Sequence, residues 1–290
     1  MSIRIAAGVL VCAVLLAACG DTRHLRVDGA TRSYRLHVPD TCTDGQPVPL
    51  LLALHQFSDT ARGMERLTGF NAIADREGFI VAYPQGRFRI WRVGEEADVA
   101  FLDALIDALS AEYPIDPERI YATGASAGGM MIQYYACRGG RLAAIAPVMG
   151  SMEQANADAC ADSARLPVLL IHGDADPVVP FGGGETPAGP GMRPVFLSAP
   201  ENAAFWAARN GCGPDPRIEE IVHPVGGDRA LRSTWDCPEA PVVFYQVVGG
   251  GHTWPGRHNR YPAFITGPTS QAIDASETVW GFLAGLAAAN

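Results

Sequence analysis

Lysine is absent: each of the 22 basic residues in this chain of 290 is an arginine. A lysine Schiff base, the lysine of a phosphate-gripping loop and a Ser/Lys dyad are excluded with it, because each needs an ε-amine. Positive charge is scarce in any case. With 31 acidic residues the formal charge is −9, which argues against a nucleic-acid partner, since such proteins gather a basic face against phosphate. Metal-ligand spacings are missing too. The seven histidines and the cysteines make no H-x-x-x-H or C-x-x-C pair, so no metal or cofactor is expected. No internal repeat or charged linker divides the chain. What is abundant is apolar: 48% of residues are hydrophobic and 18% charged, enough for a sizeable core.

The N-terminus has its own character. Met1 to Arg4 carries one positive charge, and Ile5 to Leu16 is an apolar run of about a dozen residues, too short for a spanning helix. Residues 1–18 read as an export signal. Leu16-Ala17-Ala18-Cys19 resembles the lipobox of bacterial lipoproteins, which implies a lipid on Cys19 and a short tether over residues 19–24. The alternative is an ordinary secretory signal cut nearby. Either way the mature chain is expected outside the cytosol, as a membrane-anchored envelope lipoprotein or secreted, touching membrane only through that lipid. Cys12 leaves with the signal, and Cys42, Cys137, Cys160, Cys212 and Cys237 remain, an odd number. In an oxidising compartment two disulfides are expected. Cys137 with Cys160 and Cys212 with Cys237 are preferred for their short separations, with Cys42 the odd thiol out, although four cysteines allow three pairings.

The rest reads as one domain, residues 25–290. Ser33 to Val38 alternates like a half-buried antiparallel strand. Pro49 to Leu54 and Pro167 to Ile171 are continuous apolar runs, the pattern of strands covered on both faces of a parallel sheet. Between them, Asp98 to Tyr113 places Val99, Leu102, Leu105, Ile106 and Leu109 at helical spacing. A strand Arg119 to Thr123 precedes a Gly-rich turn and a helix from Ala127 to Cys137. A closing helix spans Ser270 to Ala288, with Ile273, Trp280 and Leu283 on one face. Strands alternating with helices predict an α/β domain with a mainly parallel sheet flanked by helices and no large cap.

Gly124-Ala125-Ser126-Ala127-Gly128 sits between a strand and a helix. That is G-x-S-x-G in the strand-turn-helix setting of a nucleophile elbow. The flanking positions must lack bulk, and the Ala127 N–H at the helix start faces the point where negative charge develops. A serine hydroxyl needs a base, and the base needs an orienting acid. His172-Gly173-Asp174-Ala175-Asp176-Pro177 follows a strand. Asp176 is the preferred acid, with Asp174 expected to order the turn. His252, after the strand Val242 to Val248 and three glycines, is preferred as base over His223 and His258. A second oxyanion donor is expected from the main chain of Gln56 or Phe57, in the loop after Leu54, with His55 ordering that loop.

Taken together, Leu51 to Gln56, Tyr83 to Gly86, Trp91, Asp98 to Ile106, Tyr113 to Asp116, Tyr121 to Met130, His172 to Pro180, Asn210 to Cys212 and Gly249 to Gly256 carry a family resemblance. The sequence resembles the secreted feruloyl esterases and polyhydroxybutyrate depolymerase-like esterases grouped in carbohydrate esterase family 1. The resemblance implies an α/β-hydrolase fold and a serine carboxylic-ester hydrolase working through an acyl-enzyme, with Ser126 as nucleophile, Asp176 as acid and His252 as base. It departs at Gln56, where the family usually has glycine. Feruloyl or acetyl esters of polysaccharide, or hydroxyalkanoate oligomers, are the implied substrates. Trp91, Trp254, Phe57 and Phe181 are candidates to stack on a phenolic ring or sugar, core or rim packing being the alternative for each. Two rival classes keep the same fold: a peptidase and a non-catalytic envelope-binding protein.

Overall fold

The computed structural model describes residues 22–43, 45–157, 160, 164–186 and 193–287. The signal and lipid site expected at residues 1–18 and Cys19 lie outside the described residues. The strands are β1 (Thr22–Val27), β2 (Ala30–His37), β3 (Val48–Leu54), β4 (Ile80–Pro84), β5 (Ile115–Ala125), β6 (Ala144–Val148), β7 (Val168–Gly173), β8 (Gly184–Glu185), β9 (Val195–Phe196), β10 (Arg217–Val222), β11 (Arg229–Thr234) and β12 (Val242–Val247). The helices are α1 (Ala61–Thr68), α2 (Phe70–Glu77), α3 (Glu96–Glu112), α4 (Ala127–Cys137), α5 (Gln154–Ala157), α6 (Ala199–Arg209), α7 (Ala263–Thr266) and α8 (Ala275–Ala287).

One ten-stranded sheet runs β1-β2-β4-β3-β5-β6-β7-β12-β11-β10, and β8 pairs separately with β9. Its centre, β4 to β12 in that order, is parallel, while β1 and β2 at one edge and β11 and β10 at the other are antiparallel. The apolar run of β3 explains the layering. Leu50, Leu52 and Leu54 point into one core with Phe101, Leu105 and Ile132, and Leu51 and Ala53 point into the other with Phe70, Val279 and Leu283. Helices must therefore cover both faces, as a continuous hydrophobic strand requires. From β3 the chain moves outward to β4 and then returns across β3 to β5. Ligands of open α/β sheets bind beyond the strands' C-terminal ends at such a reversal.

Several boundaries differ from the sequence expectation. The sheet already includes Thr22, Arg23 and His24, paired with Arg35, Tyr34 and Ser33, so the folded unit starts ahead of Leu25, where the domain was expected to begin. The closing helix begins at Ala275 rather than Ser270, because Asp274 caps it: its Oδ1 accepts from Ser276 N–H at 2.9 Å and Glu277 N–H at 3.2 Å. Ile273 thus precedes the helix, while Trp280 stacks on Phe79 with ring centroids 3.5 Å apart. Cys137 is bonded to Cys160 and Cys212 to Cys237, and Cys42 is buried outside both disulfides. The first disulfide fastens the C-terminal end of α4, the second the chain beyond α6.

Candidate active site

Ser126 stands between β5 and α4 with φ 52° and ψ −117°, a conformation that non-glycine residues rarely adopt. Missing side chains make it possible. A Cβ at Gly124 would run into the Gly128 backbone, one at Gly128 would run into the Leu54 carbonyl, and one at Gly150 would come within 2.5 Å of the Ser126 carbonyl. The elbow is also tied to the neighbouring strand by Ser126 N–H donating to Val148 O at 2.9 Å. Ala127 opens α4, so its N–H is one of the first-turn donors with no intrahelical acceptor.

Two strands away, Asp176 follows β7. Its Oδ1 accepts from the Val178 and Val179 N–H groups at 2.8 and 2.9 Å, which fixes the plane of the carboxylate. Its Oδ2 accepts from His252 Nδ1–H at 2.7 Å. Nε2 of His252 is left without that proton and can accept one. A second imidazole faces the same oxygen: His172 donates from Nε2 to Val179 O at 2.9 Å and lies 3.4 Å from Asp176 Oδ2. Burial alone would raise the Asp176 pKa, but hydrogen bonds from His172 and His252 outweigh it and hold the carboxyl well below the usual carboxylate range. Asp174 has the other task. It accepts from Gly249 N–H at 2.6 Å and Gln246 Nε2 at 2.9 Å, joining the β7 and β12 loops.

The His252 loop is seated by close backbone approaches. A Cβ at Gly173 would run into Gly250, and one at Gly251 would run into the Thr266 carbonyl, whose oxygen accepts from His252 N–H at 2.5 Å. His252 and Ser126 are both buried at this edge. Among the described residues the Ser126 hydroxyl makes no hydrogen bond, that to the ring included. Such bonds are often long in unliganded enzymes and tighten with substrate.

On the other side of the elbow, His55 organises the loop after β3. Gly86 N–H donates to its Nε2 at 3.0 Å, so the proton sits on Nδ1, which donates to Gln56 O at 2.7 Å. Burial pushes the His55 pKa down, against the raising effect of that Gln56 carbonyl, and keeps the ring neutral. In a trans peptide C=O and N–H point opposite ways. With Gln56 O held by His55, the Phe57 N–H is aimed away from the ring, and among the described residues it has no partner. The Gln56 side chain turns aside to Asp59 Oδ2 at 3.3 Å. Asp59, itself buried, binds Arg260 at 2.8 Å and so ties this loop to the segment beyond His252.

The sequence profile of the family described as esterase, PHB depolymerase, matches residues 32–181. The chain belongs to this esterase family. It is 35% identical over 291 residues to the esterase NocK of Nocardia uniformis subsp. tsuyamanensis, covering 92% of this chain and 83% of that protein. It is 29% identical to feruloyl esterase C of Emericella nidulans, over 76% of each chain. Among solved structures, acetyl xylan esterase from Aspergillus awamori superposes with a TM-score of 0.60 at 16% identity, over 81% of this chain and 94% of that one, which establishes the α/β-hydrolase fold. The esterase is a carboxylic-ester hydrolase.

Two candidate substrate residues prove to be scaffold. Trp91 is 4% exposed, packed on His55 and donating Nε1–H to the His55 carbonyl at 2.8 Å. Trp254 is 1% exposed, edge-on to Phe70 and donating to Ser276 Oγ at 3.0 Å. Neither ring is available to a substrate of this esterase, because each satisfies its indole N–H inside the fold. Phe181 is half-buried against His172 and Phe244, and Phe57 stands exposed. His223 is half-buried and bonded to Val225 O, and His258 is exposed. Sequence reasoning missed His172 as a second donor to Asp176, although its place four residues before the acid was legible. The Asp59–Arg260 tie had no sequence signal, since its partners are far apart in the chain.

Proposed function

We propose that this esterase works by two-step acyl transfer at Ser126. His252 accepts the Ser126 proton as the hydroxyl attacks the ester carbonyl, and Asp176 orients the imidazole and stabilises its charged form. The N–H groups of Ala127 and Phe57, with Gln56 as the alternative donor, receive the oxyanion. His252 then returns the proton to the departing alcohol and activates the water that cleaves the acyl-enzyme. The observation that carries this reading is the 2.7 Å bond between Asp176 and a buried His252 at the sheet edge where the strained Ser126 turn ends β5. Ser126→Ala is expected to lower p-nitrophenyl acetate turnover by roughly 10⁵- to 10⁶-fold; a near-normal rate sinks the proposal. A fluorophosphonate probe labelling Ser126 separates this reading from a non-catalytic binding protein, which would not react.

For substrate, the related feruloyl esterase and acetyl xylan esterase favour feruloyl or acetyl esters of polysaccharide, and the family description favours hydroxyalkanoate oligomers. We also infer export, with residues 1–18 removed, a lipid on Cys19 and a single catalytic domain in the mature chain. Support comes from the N-terminal sequence and from two disulfides of a kind that persists in oxidising compartments. The intact mass of the protein recovered from the producing cell tests the processing: a mature chain without residue 19 at its N-terminus excludes the lipid.

A further inference from the structure

The segment between β4 and α3 holds a feature that the proposed chemistry leaves unused. Phe88 and Arg89 are both left-handed, with φ 54° and 67°, and Ser58 in the facing loop has φ 59°. These conformations are unfavourable for residues with a Cβ and persist only where the surroundings impose them. Here the surroundings do. Ser58 N–H donates to Arg89 O at 2.9 Å, and Arg89 N–H closes back on Gly86 O at 2.9 Å. Gly86 and Trp91 fasten the segment to His55 on both sides, and Arg92 N–H is held by buried Asp98 at 2.8 Å.

That strain does nothing for the core. The Phe88 ring is 73% exposed and Phe57, beside Ser58, is 57% exposed. Strain that presents aromatic rings to solvent at an active-site mouth has the character of a binding device. The charges agree. Arg87 lies over the Phe88 ring at 5.1 Å from its centroid. Neighbouring Arg92 and Arg260 are paired with Glu95 and Asp59, whereas Arg87 and Arg89 form no ion pair among the described residues. In a chain of formal charge −9, two cations without carboxylates flank two exposed rings. They stand next to the elbow, because Gly128 packs on the carbonyls of Leu54 and His55 at the root of the Phe57 loop.

We propose that Phe57, Phe88, Arg87 and Arg89 form a subsite for the part of the substrate remote from the scissile bond, and that this part carries a carboxylate beside an apolar face. The rings take the apolar face, and the guanidinium groups take the carboxylate in charge-assisted hydrogen bonds. Two sources supply that chemistry: the uronate units of an acidic polysaccharide and the acid end of a hydroxyalkanoate oligomer. The subsite rests on the esterase reading of Ser126.

The test is competition against p-nitrophenyl acetate hydrolysis by the full chain, which reads binding whether or not the competitor is cleaved. One pair of competitors is a hydroxybutyrate oligomer as free acid and as terminal amide; the other is a uronate-bearing and a neutral xylan oligosaccharide. The acid member of at least one pair is expected to inhibit at a concentration about five- to tenfold lower, the range of one or two partly exposed charge contacts. Which pair shows the preference identifies the source. The double variant Arg87→Gln/Arg89→Gln is expected to abolish the preference, and so is an ionic strength of about 1 M, where charges are screened within about 3 Å. Equal inhibition within both pairs, or a preference that survives the double variant, overturns the proposal. Retained p-nitrophenyl acetate hydrolysis in Ser126→Ala overturns the esterase reading instead, so the two failures are distinct.

Discussion

Ser126 and the Asp176–His252 pair are held by opposite means. On the side of Ser126, the proposed nucleophile, Gly124, Gly128 and Gly150 let three backbone segments close to distances that any Cβ would forbid. The position of Ser126 is thus set by packing of main chain on main chain, with no side chain to titrate or rotate. On the proposed acid–base side, the carboxylate of Asp176 is fixed by Val178 and Val179 N–H groups, His252 and His172, and the loop beneath it by Asp174. A steric device tolerates changes of pH and fails on added bulk. A hydrogen-bonded one tolerates small changes of volume and fails when a donor, acceptor or charge is removed.

The largest effect that would break this comparison lies on the polar side. Asp176→Asn keeps the volume but removes the charge and invites the wrong His252 tautomer, so kcat is expected to fall by about 10⁴-fold with little change in KM. A loss below tenfold in steady-state kinetics would mean that His252 is oriented by something other than Asp176. The same side carries the pH dependence. Asp176 has a lower pKa folded than unfolded, so its contribution to stability is complete above an unfolded value of about 3.9 and is lost as pH falls through the folded value. Chemical unfolding followed as pH is lowered should show this loss in wild type and a flatter profile in Asp176→Asn.

Next in size is the oxyanion loop, which mixes the two devices. His55→Ala removes the donor that holds Gln56 O and the acceptor for Gly86 N–H. The Phe57 peptide is then free to turn, and kcat is expected to drop by about 10²- to 10³-fold, the cost of one oxyanion donor. An unchanged kcat would show that Phe57 N–H plays no part in the reaction.

How much of this was legible in the sequence follows the same division. Steric devices leave local marks: G-x-S-x-G, the apolar run of β3 and the glycines before His252 each declare themselves within a few residues. Asp176, the proposed acid, was legible as a candidate because its motif follows a buried strand. Contacts between loops left no such mark. Asp59 with Arg260 and His55 with Gly86 depend on how loops meet after the sheet has formed. The two tryptophans show the physical limit. Trp91 and Trp254 lie in polar, Gly/Pro-rich loops that read as surface, yet the loops close over their rings and use the indole N–H groups as internal ties. Periodicity says which face of a helix or strand is buried, and a loop has no face to read.

His172→Ala sharpens the comparison with a smaller effect. Removing the second donor to Asp176 Oδ2 costs about one charge-assisted hydrogen bond, roughly tenfold in kcat. It should also raise the folded pKa of Asp176, because the His172 bond is one of the forces that depress it. The groups facing this carboxylate are His252 from the β12 loop and His172 from β7, with Asp174 two residues away and held by Gln246 and Gly249. The loss of stability on acidification is therefore expected to be smaller than in wild type and to be complete at a higher pH, its onset near the unfolded value being unchanged. A kcat loss with an unmoved acid profile would make His172 a packing residue for Phe181 only.

The smallest effect is expected where strain was found outside both devices. Phe88→Gly relieves a left-handed backbone, worth about 1–2 kcal/mol, and gives back about 0.5–1 kcal/mol through the greater freedom of glycine in the unfolded chain. Since the ring is 73% exposed, little burial is lost, and the melting temperature should stay level or rise slightly. Affinity for a carboxylate-bearing competitor should fall, because Phe88 is part of the platform. This combination is the reverse of what a structural aromatic would give. A melting temperature several degrees lower would show that Phe88 supports the His55 loop, and would place the strained turn with the packing that holds Ser126.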